Sequence, residues 1–144
     1  MKRILSLAVL AAAATLSPLA PAADRAYFIE PGDGAAVPEE FTVKMGVEGM
    51  RVQPAGELAE RTGHHHLIVD GKPIEAGKAV PTDATHLHFG KGQTETTLKL
   101  PPGKHTLTLQ FADGLHQSYG RGFSDTISVH VNNPLAVTPA VLEP

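Results

Sequence analysis

The chain has 144 residues and a formal net charge of −3 at pH 7, from 12 lysine and arginine and 15 aspartate and glutamate side chains. The basic residues form no cluster, which argues against nucleic acid or an anionic membrane surface as a partner. The sequence contains no cysteine. A disulfide therefore cannot stabilise the fold, and thiolate is excluded as a nucleophile or a metal ligand.

The first residues have the pattern of an export signal. Lys2 and Arg3 precede an apolar stretch over residues 4–16, and small residues follow at 20–23. This order predicts a signal peptide over residues 1–23. The apolar stretch is too short to cross a bilayer core of about 30 Å as a helix. We expect a periplasmic or secreted protein that does not insert into a membrane after cleavage, with a retained N-terminal anchor as the alternative.

Short strands separated by turns are predicted for the rest of the chain. In the clearest strand, Phe41, Val43 and Met45 alternate with Thr42 and Lys44, a period of two that fits a half-buried strand. No segment has a convincing helical pattern, and we interpret the stretch from Gln53 to Arg61 as a loop. In chain order, the predicted strands are residues 26–29, 41–48, 65–69, 85–89, 94–100, 105–111 and 123–131.

This pattern predicts an all-β fold, an immunoglobulin-like or cupredoxin-like antiparallel β-sandwich of about seven strands. We place that domain at residues 24–131. Residues 132–144 contain three prolines and little to pack, and predict a loosely ordered C-terminal tail. The inward-facing positions of the longer strands predict one core, containing Phe41, Val43, Leu107, Leu109, Phe111, Ile127 and Val129.

Five of the eight histidines fall in two short segments, 64–66 and 86–88. Residues at i and i+2 of a strand project from the same face. If Leu67 and Val69 face the core, His64 and His66 point outward, and His65 points inward near a strand end. A register in which Ile68 faces the core would exchange these roles.

The second histidine segment has the same alternation. With Leu87 and Phe89 facing the core, His86 and His88 point outward together. We expect His65, facing the other way, to hydrogen-bond a backbone carbonyl through one ring nitrogen.

Antiparallel pairing of strands 64–69 and 105–111 would place the loop over residues 112–116 beside the start of the first strand. His116 would then lie near His64, whereas His105 would lie at the opposite end of the sheet. The sequence therefore predicts a single surface cluster of outward-facing histidines, formed by His64, His66, His86, His88 and His116.

Imidazole is the commonest side-chain metal ligand. An all-imidazole site suits Cu(II), Zn(II) or Ni(II), and the usual affinity order favours copper. Met50 could add a thioether for Cu(I), although its position is more typical of packing. We therefore predict a periplasmic transition-metal binding protein that acts as a carrier, buffer or sensor, with copper favoured over zinc or nickel.

The alternative is a structural or interaction module of the cell envelope, in which the histidine cluster holds no metal and faces another envelope protein or a glycan. The sequence contains no nucleophile elbow, no His-Glu-x-x-His and no phosphate-binding glycine loop. We therefore expect no enzymatic activity. An open coordination position on a bound metal would be the remaining route to catalysis.

Three motifs resemble one family. They are Gly-His-His-His-Leu-Ile-Val-Asp at 63–70, His-Leu-His-Phe-Gly-Lys-Gly-Gln-Thr-Glu at 86–95 and Leu-Pro-Pro-Gly-Lys-His-Thr-Leu at 100–107. Together they resemble the exported bacterial domain of unknown function 4399, over about residues 26–131. The resemblance implies export and a single compact domain. It brings no activity, so the functional prediction rests on the histidines. The opening at 29–35 is also similar to the first strand of bacterial immunoglobulin-like domains.

Overall fold

A computed structural model describes residues 23–135, which form two β-sheets. The smaller sheet has the order β1-β3-β7, and the larger has the order β2-β9-β8-β5-β4, with β6 also paired to β5. Within this part of the chain there is one short 3₁₀ turn and no α-helix. The strands are β1 (Arg25–Glu30), β2 (Ala35–Val37), β3 (Glu40–Glu48), β4 (Arg51–Val52), β5 (Thr62–Val69), β6 (His86–His88), β7 (Glu95–Lys99), β8 (Gly103–Ala112) and β9 (Ser124–Val131).

The all-β sandwich predicted from the sequence is confirmed. All seven predicted strands are present, and two very short strands, β2 and β4, add parallel pairings to β9 and β5. These two were not predicted because three and two residues are too few to show a period. The order β9-β8-β5 facing β1-β3-β7 is that of the G-F-C and A-B-E strands of immunoglobulin domains.

The chain ends lie outside this description. All but the last residue of the predicted signal peptide, residues 1–23, falls outside the described residues, as does most of the predicted tail, residues 132–144. Between residues 23 and 135, no helix is long and apolar enough to cross a membrane.

The core lies between the sheets and contains the residues that the alternation predicted. Leu67 on β5 is paired with Leu109 on β8, and Val69 is paired with Leu107. Leu67 and Val69 therefore face the core, which resolves the register that the sequence left open. The seven predicted core residues are all buried, namely Phe41, Val43, Leu107, Leu109, Phe111, Ile127 and Val129.

The opposite face of β5 is also buried. This is unusual, because an antiparallel sheet commonly has one face in contact with solvent. A chain segment over residues 71–80, together with the loop after β8, covers it. Gln110, wholly buried on that face, accepts a hydrogen bond from the Ile74 amide at 3.0 Å and donates one to the Gly120 carbonyl at 3.1 Å. The covering segment is thus fastened to the sheet through a buried amide.

Candidate metal centre

Four imidazoles converge on the covered face of the larger sheet. His64 and His66 come from β5, His88 from β6 and His116 from the loop after β8. One ring nitrogen from each of the four lies within 4.8 Å of those of the others. The Nε2 atoms of His64 and His66 are 3.0 Å apart, and His64 Nε2 is 3.1 Å from His116 Nδ1.

Strand register explains this convergence. His66 is the direct partner of His88 across the β5–β6 pair, so both rings leave the same face. His64 is paired with Ala112, the last residue of β8, and the loop that carries His116 begins there. The antiparallel pairing predicted from the sequence is confirmed, and it brings His116 to His64.

The nitrogen spacing suits a common ion. Four nitrogens at about 2.0–2.1 Å from a tetrahedral ion lie roughly 3.3 Å apart. In a tetragonal Cu(II) site, neighbouring nitrogens lie roughly 2.9 Å apart and opposite ones about 4 Å apart. The two shortest separations given, 3.0 and 3.1 Å, fall close to the neighbouring distances of both geometries, and every pair in the group lies within 4.8 Å. A single ion can therefore be reached with small side-chain adjustments.

Hydrogen bonds among the four rings do not give every ring nitrogen a partner. His64 Nε2 takes part in both short contacts, yet a neutral imidazole nitrogen carries either one proton or one lone pair. In the described part of the chain, Nδ1 of His64, Nδ1 of His66 and Nε2 of His88 are buried without a hydrogen-bond partner. A buried polar atom without a partner is costly, and such atoms in a native site call for an explanation. A cation that accepts the Nε2 lone pairs of His64 and His66 together would remove the competition for a single proton at His64 Nε2.

Burial keeps the central rings neutral. Burial, followed by the proximity of His88 and His116, lowers the pKa of His64 to about 4. Burial and the neighbouring imidazoles lower the pKa of His66 to about 3. The pKa of His88 is also lowered, by burial and by His116. At neutral pH these three nitrogen lone pairs are therefore available for ligation without loss of a proton.

The cluster has one partly open side. His64 and His66 are wholly buried on a central strand, whereas His88 and His116 are partly exposed. An ion would enter past the two outer rings. The wall behind His88 is formed by Gly90, where a Cβ atom would overlap the imidazole ring.

Two of the residues that shape the cluster were not identified from the sequence. Gly90 and Asp113 lie in segments that read only as turns, Gly90-Lys91-Gly92 and Asp113-Gly114. Gly90 lies two residues after His88 and Asp113 lies three residues before His116, and this nearness was the available signal. The steric role of Gly90 and the hydrogen bonds of Asp113 depend on the local conformation of each turn, which a turn motif alone does not specify.

The structure separates His86 from the other predicted ligands. His86 is paired with Ile68, two residues further along β5 than His66, and its Nδ1 lies 2.9 Å from Asp83 Oδ1. Its ring thus belongs to a local turn and not to the group of four. The prediction that His86 joins the cluster is not supported by this geometry.

The prediction of surface histidines is wrong for His64 and His66. The face is the predicted one, but both side chains are 0% exposed. Alternation along a strand identifies which residues share a face, whereas the covering segment that buries this face has no regular pattern of its own.

The remaining histidines divide between the core and the far end of the sheet. His65 faces inward as predicted and packs against Phe111, with ring centroids 5.0 Å apart. The expected bond to a backbone carbonyl is missing, since neither ring nitrogen of His65 has a partner among the residues described. His105 lies at the opposite end as predicted, 2.8 Å from Asp70 Oδ2 and 2.9 Å from the Pro101 carbonyl.

Comparison with known proteins identifies a family and little else. No curated protein matches the chain. Among solved structures, the endo-β-1,4-mannanase from Thermotoga petrophila is similar with a TM-score of 0.46 and 22% identity, over 76% of this chain and 20% of that one. The chain spans a fifth of that enzyme's length, and the score is too low to establish a shared fold or activity. Residues 43–132 match the family described as Domain of unknown function (DUF4399), and the chain belongs to that family.

Proposed function

We propose that this protein binds a transition metal ion in the periplasm through His64, His66, His88 and His116, as a carrier, buffer or sensor. The observation that supports the proposal is the convergence of four imidazole nitrogens within 4.8 Å of one another. Two of these rings are wholly buried and lowered in pKa, which makes them neutral donors.

Copper is the proposed ion, with zinc and nickel as competitors. The donors are imidazoles, which suit divalent late transition metals, and Cu(II) heads the affinity order for such sites. Met50 packs against the hydrophobic core, as the sequence suggested, so the grouping favours Cu(II) over Cu(I). The predicted export signal supports the periplasm.

A binding role fits this donor set better than catalysis. An ion held by four imidazoles has its strong coordination positions filled by the protein, as in structural zinc sites, whereas catalytic zinc sites keep one position open. The two partly exposed rings, His88 and His116, provide a route by which an ion could be exchanged.

Metal titration of the mature chain, prepared without an affinity tag, tests the proposal. Wild type should bind about one equivalent of Cu(II) at pH 7.5, detected calorimetrically and by metal analysis after dialysis. His66→Ala removes a central ligand and should weaken binding by at least about a hundredfold, above the range seen for loss of an outer-shell partner. His130→Ala is the matched control, because His130 is exposed on β9, and it should retain wild-type affinity.

The proposal would be contradicted if wild type bound copper, zinc and nickel no more tightly than a single exposed histidine does. Equal affinities in wild type and His66→Ala would contradict it as well. The envelope interaction module with an unmetallated cluster would then be the better account, and pull-down from an envelope fraction would be its test.

A further inference from the structure

The fourth imidazole of the cluster is held by a loop and not by a strand. His116 lies in the segment over residues 113–117, between β8 and the isolated bridge that joins Ala112 to Ser118. A side chain on a loop reaches a fixed position only if the backbone of that loop is fixed. The contacts that shape this segment therefore decide whether the four rings meet.

Asp113 makes most of the hydrogen bonds inside this loop. Its Oδ1 accepts from the amide of Leu115 at 2.8 Å and from the amide of Gln117 at 2.9 Å. Its backbone carbonyl accepts from the His116 amide at 3.0 Å, and its own amide donates to the Gln117 carbonyl at 2.9 Å. One residue thus ties together both sides of the turn that carries His116.

The backbone of His116 needs such support. Its φ is +66°, in the left-handed region that non-glycine residues rarely adopt. Such a conformation is strained and persists where surrounding contacts determine it. From outside the turn, the amide of Val80 donates to the His116 carbonyl at 2.9 Å, and the amide of Gly56 donates to the Gly114 carbonyl at 2.9 Å.

We propose that Asp113 is a positioning residue for the metal site: its carboxylate fixes the turn that places His116 Nδ1 against His64 Nε2. The inference rests on the proposed function of the cluster, and it concerns a residue that would not itself touch the ion. Loss of the carboxylate would let the turn relax and leave a site of three imidazoles.

The chain contains a matched turn for comparison. Asp83 Oδ1 accepts from the amides of Thr85 and His86, both at 2.9 Å, in the same kind of side-chain-capped turn. His86, however, lies outside the group of four. Asp83→Ala therefore removes an equivalent capping carboxylate beside a histidine that the site does not use.

Cu(II) binding by a small set of variants tests the inference. Asp113→Ala should weaken Cu(II) binding by about tenfold or more, because one ligand must then be ordered at the expense of binding energy. The copper EPR spectrum should change from four coupled nitrogens to three. Asp113→Asn keeps an acceptor at Oδ1 and should stay within about threefold of wild type. Asp83→Ala should bind like wild type.

A double-mutant cycle separates positioning from general destabilisation. If Asp113 acts through His116, adding Asp113→Ala to His116→Ala should cause no further loss of affinity. Should Asp113→Ala fail to fold, Asp113→Ser replaces it, since a serine hydroxyl caps such turns more weakly and predicts an intermediate loss. Equal losses from Asp113→Ala with and without His116, or wild-type affinity in both Asp113→Ala and Asp113→Ser, would overturn the inference.

Proton NMR of the metal-free protein distinguishes failure of this inference from failure of the proposed function. Contacts between the His64 and His116 rings should be present in wild type and Asp113→Asn and lost in Asp113→Ala. If these contacts depend on Asp113 but wild type binds no Cu(II), the positioning holds and the metal function fails. If wild type binds Cu(II) and the contacts survive in Asp113→Ala, the inference fails alone.

Discussion

Individual residues set the shape of the histidine group. Gly90 illustrates this, since its lack of a side chain makes room for the imidazole of His88. The β5–β6 pairing fixes the backbone of His88, but the ring can lie against the chain only where no Cβ atom intrudes. The glycine that follows the His-Leu-His-Phe segment is therefore part of the site.

Gly90→Ala should displace the His88 ring and weaken Cu(II) binding by about tenfold, the lower end of the range for loss of a supporting contact. Calorimetric titration would measure the change. Gly122→Ala is the control, because a Cβ atom at Gly122 would meet nothing within 4 Å. An affinity equal to wild type for Gly90→Ala would mean that His88 is not a ligand or that its ring has a second suitable orientation.

Sequence reasoning identified the candidate ligands better than the residues that support them. His64, His66, His88 and His116 were predicted because alternation and antiparallel pairing are readable from the sequence. His86 was included by the same alternation. The ring of His86 instead contacts the Asp83 carboxylate in a local turn, which the alternation along the strand does not show.

At the scale of single elements, β5 has different chemistry on its two faces. One face presents His64 and His66 to the other imidazoles, and the opposite face presents His65 to the core beside Phe111. Burial, and to a lesser extent the neighbouring His64, lowers the pKa of His65 to about 4. The strand therefore contains three histidines that resist protonation in the folded state.

The free energy of unfolding of the metal-free protein should fall as pH is lowered from about 6.5 towards 4. For a histidine whose folded pKa lies below its unfolded value of about 6.5, protonation favours the unfolded chain, so stability is complete above 6.5 and decreases below it. With several such groups, the loss by pH 4.5 should reach at least about 2 kcal/mol. Urea denaturation with a chelator present would measure it.

His65→Leu isolates one of these groups outside the proposed site. It removes two buried nitrogens that lack partners in the described structure, so the variant should match or exceed wild type in stability at pH 5 and show a shallower pH dependence. If the free energy of unfolding of His65→Leu had the same pH dependence as that of wild type, the lowered pKa of His65 would be contradicted.

His105→Gln should change the pH dependence of the free energy of unfolding in the opposite direction, as measured by the same urea denaturation. The hydrogen bond to Asp70 raises the pKa of His105, so its contribution is present below pH 6.5 and is lost as pH rises through the folded pKa.

At the scale of the whole molecule, the packing of the two sheets accounts for the core, and the covering of the outer face of the larger sheet accounts for the burial of the histidine group. The two sheets and their inward residues followed from period-two patterning, and the prediction of one all-β domain needed no further information. The burial of His64 and His66 could not be predicted in the same way. It depends on irregular segments outside the strands, among them the loop that carries His116, and such segments have no period to read.

A crystal structure of the copper-loaded protein, with anomalous diffraction collected at the copper absorption edge, tests the central claim most directly. The account predicts a single strong anomalous peak about 2.0–2.1 Å from ring nitrogens of His64, His66, His88 and His116. A peak at His86, His105 or His130, or no ordered copper at the four-histidine group, would contradict it.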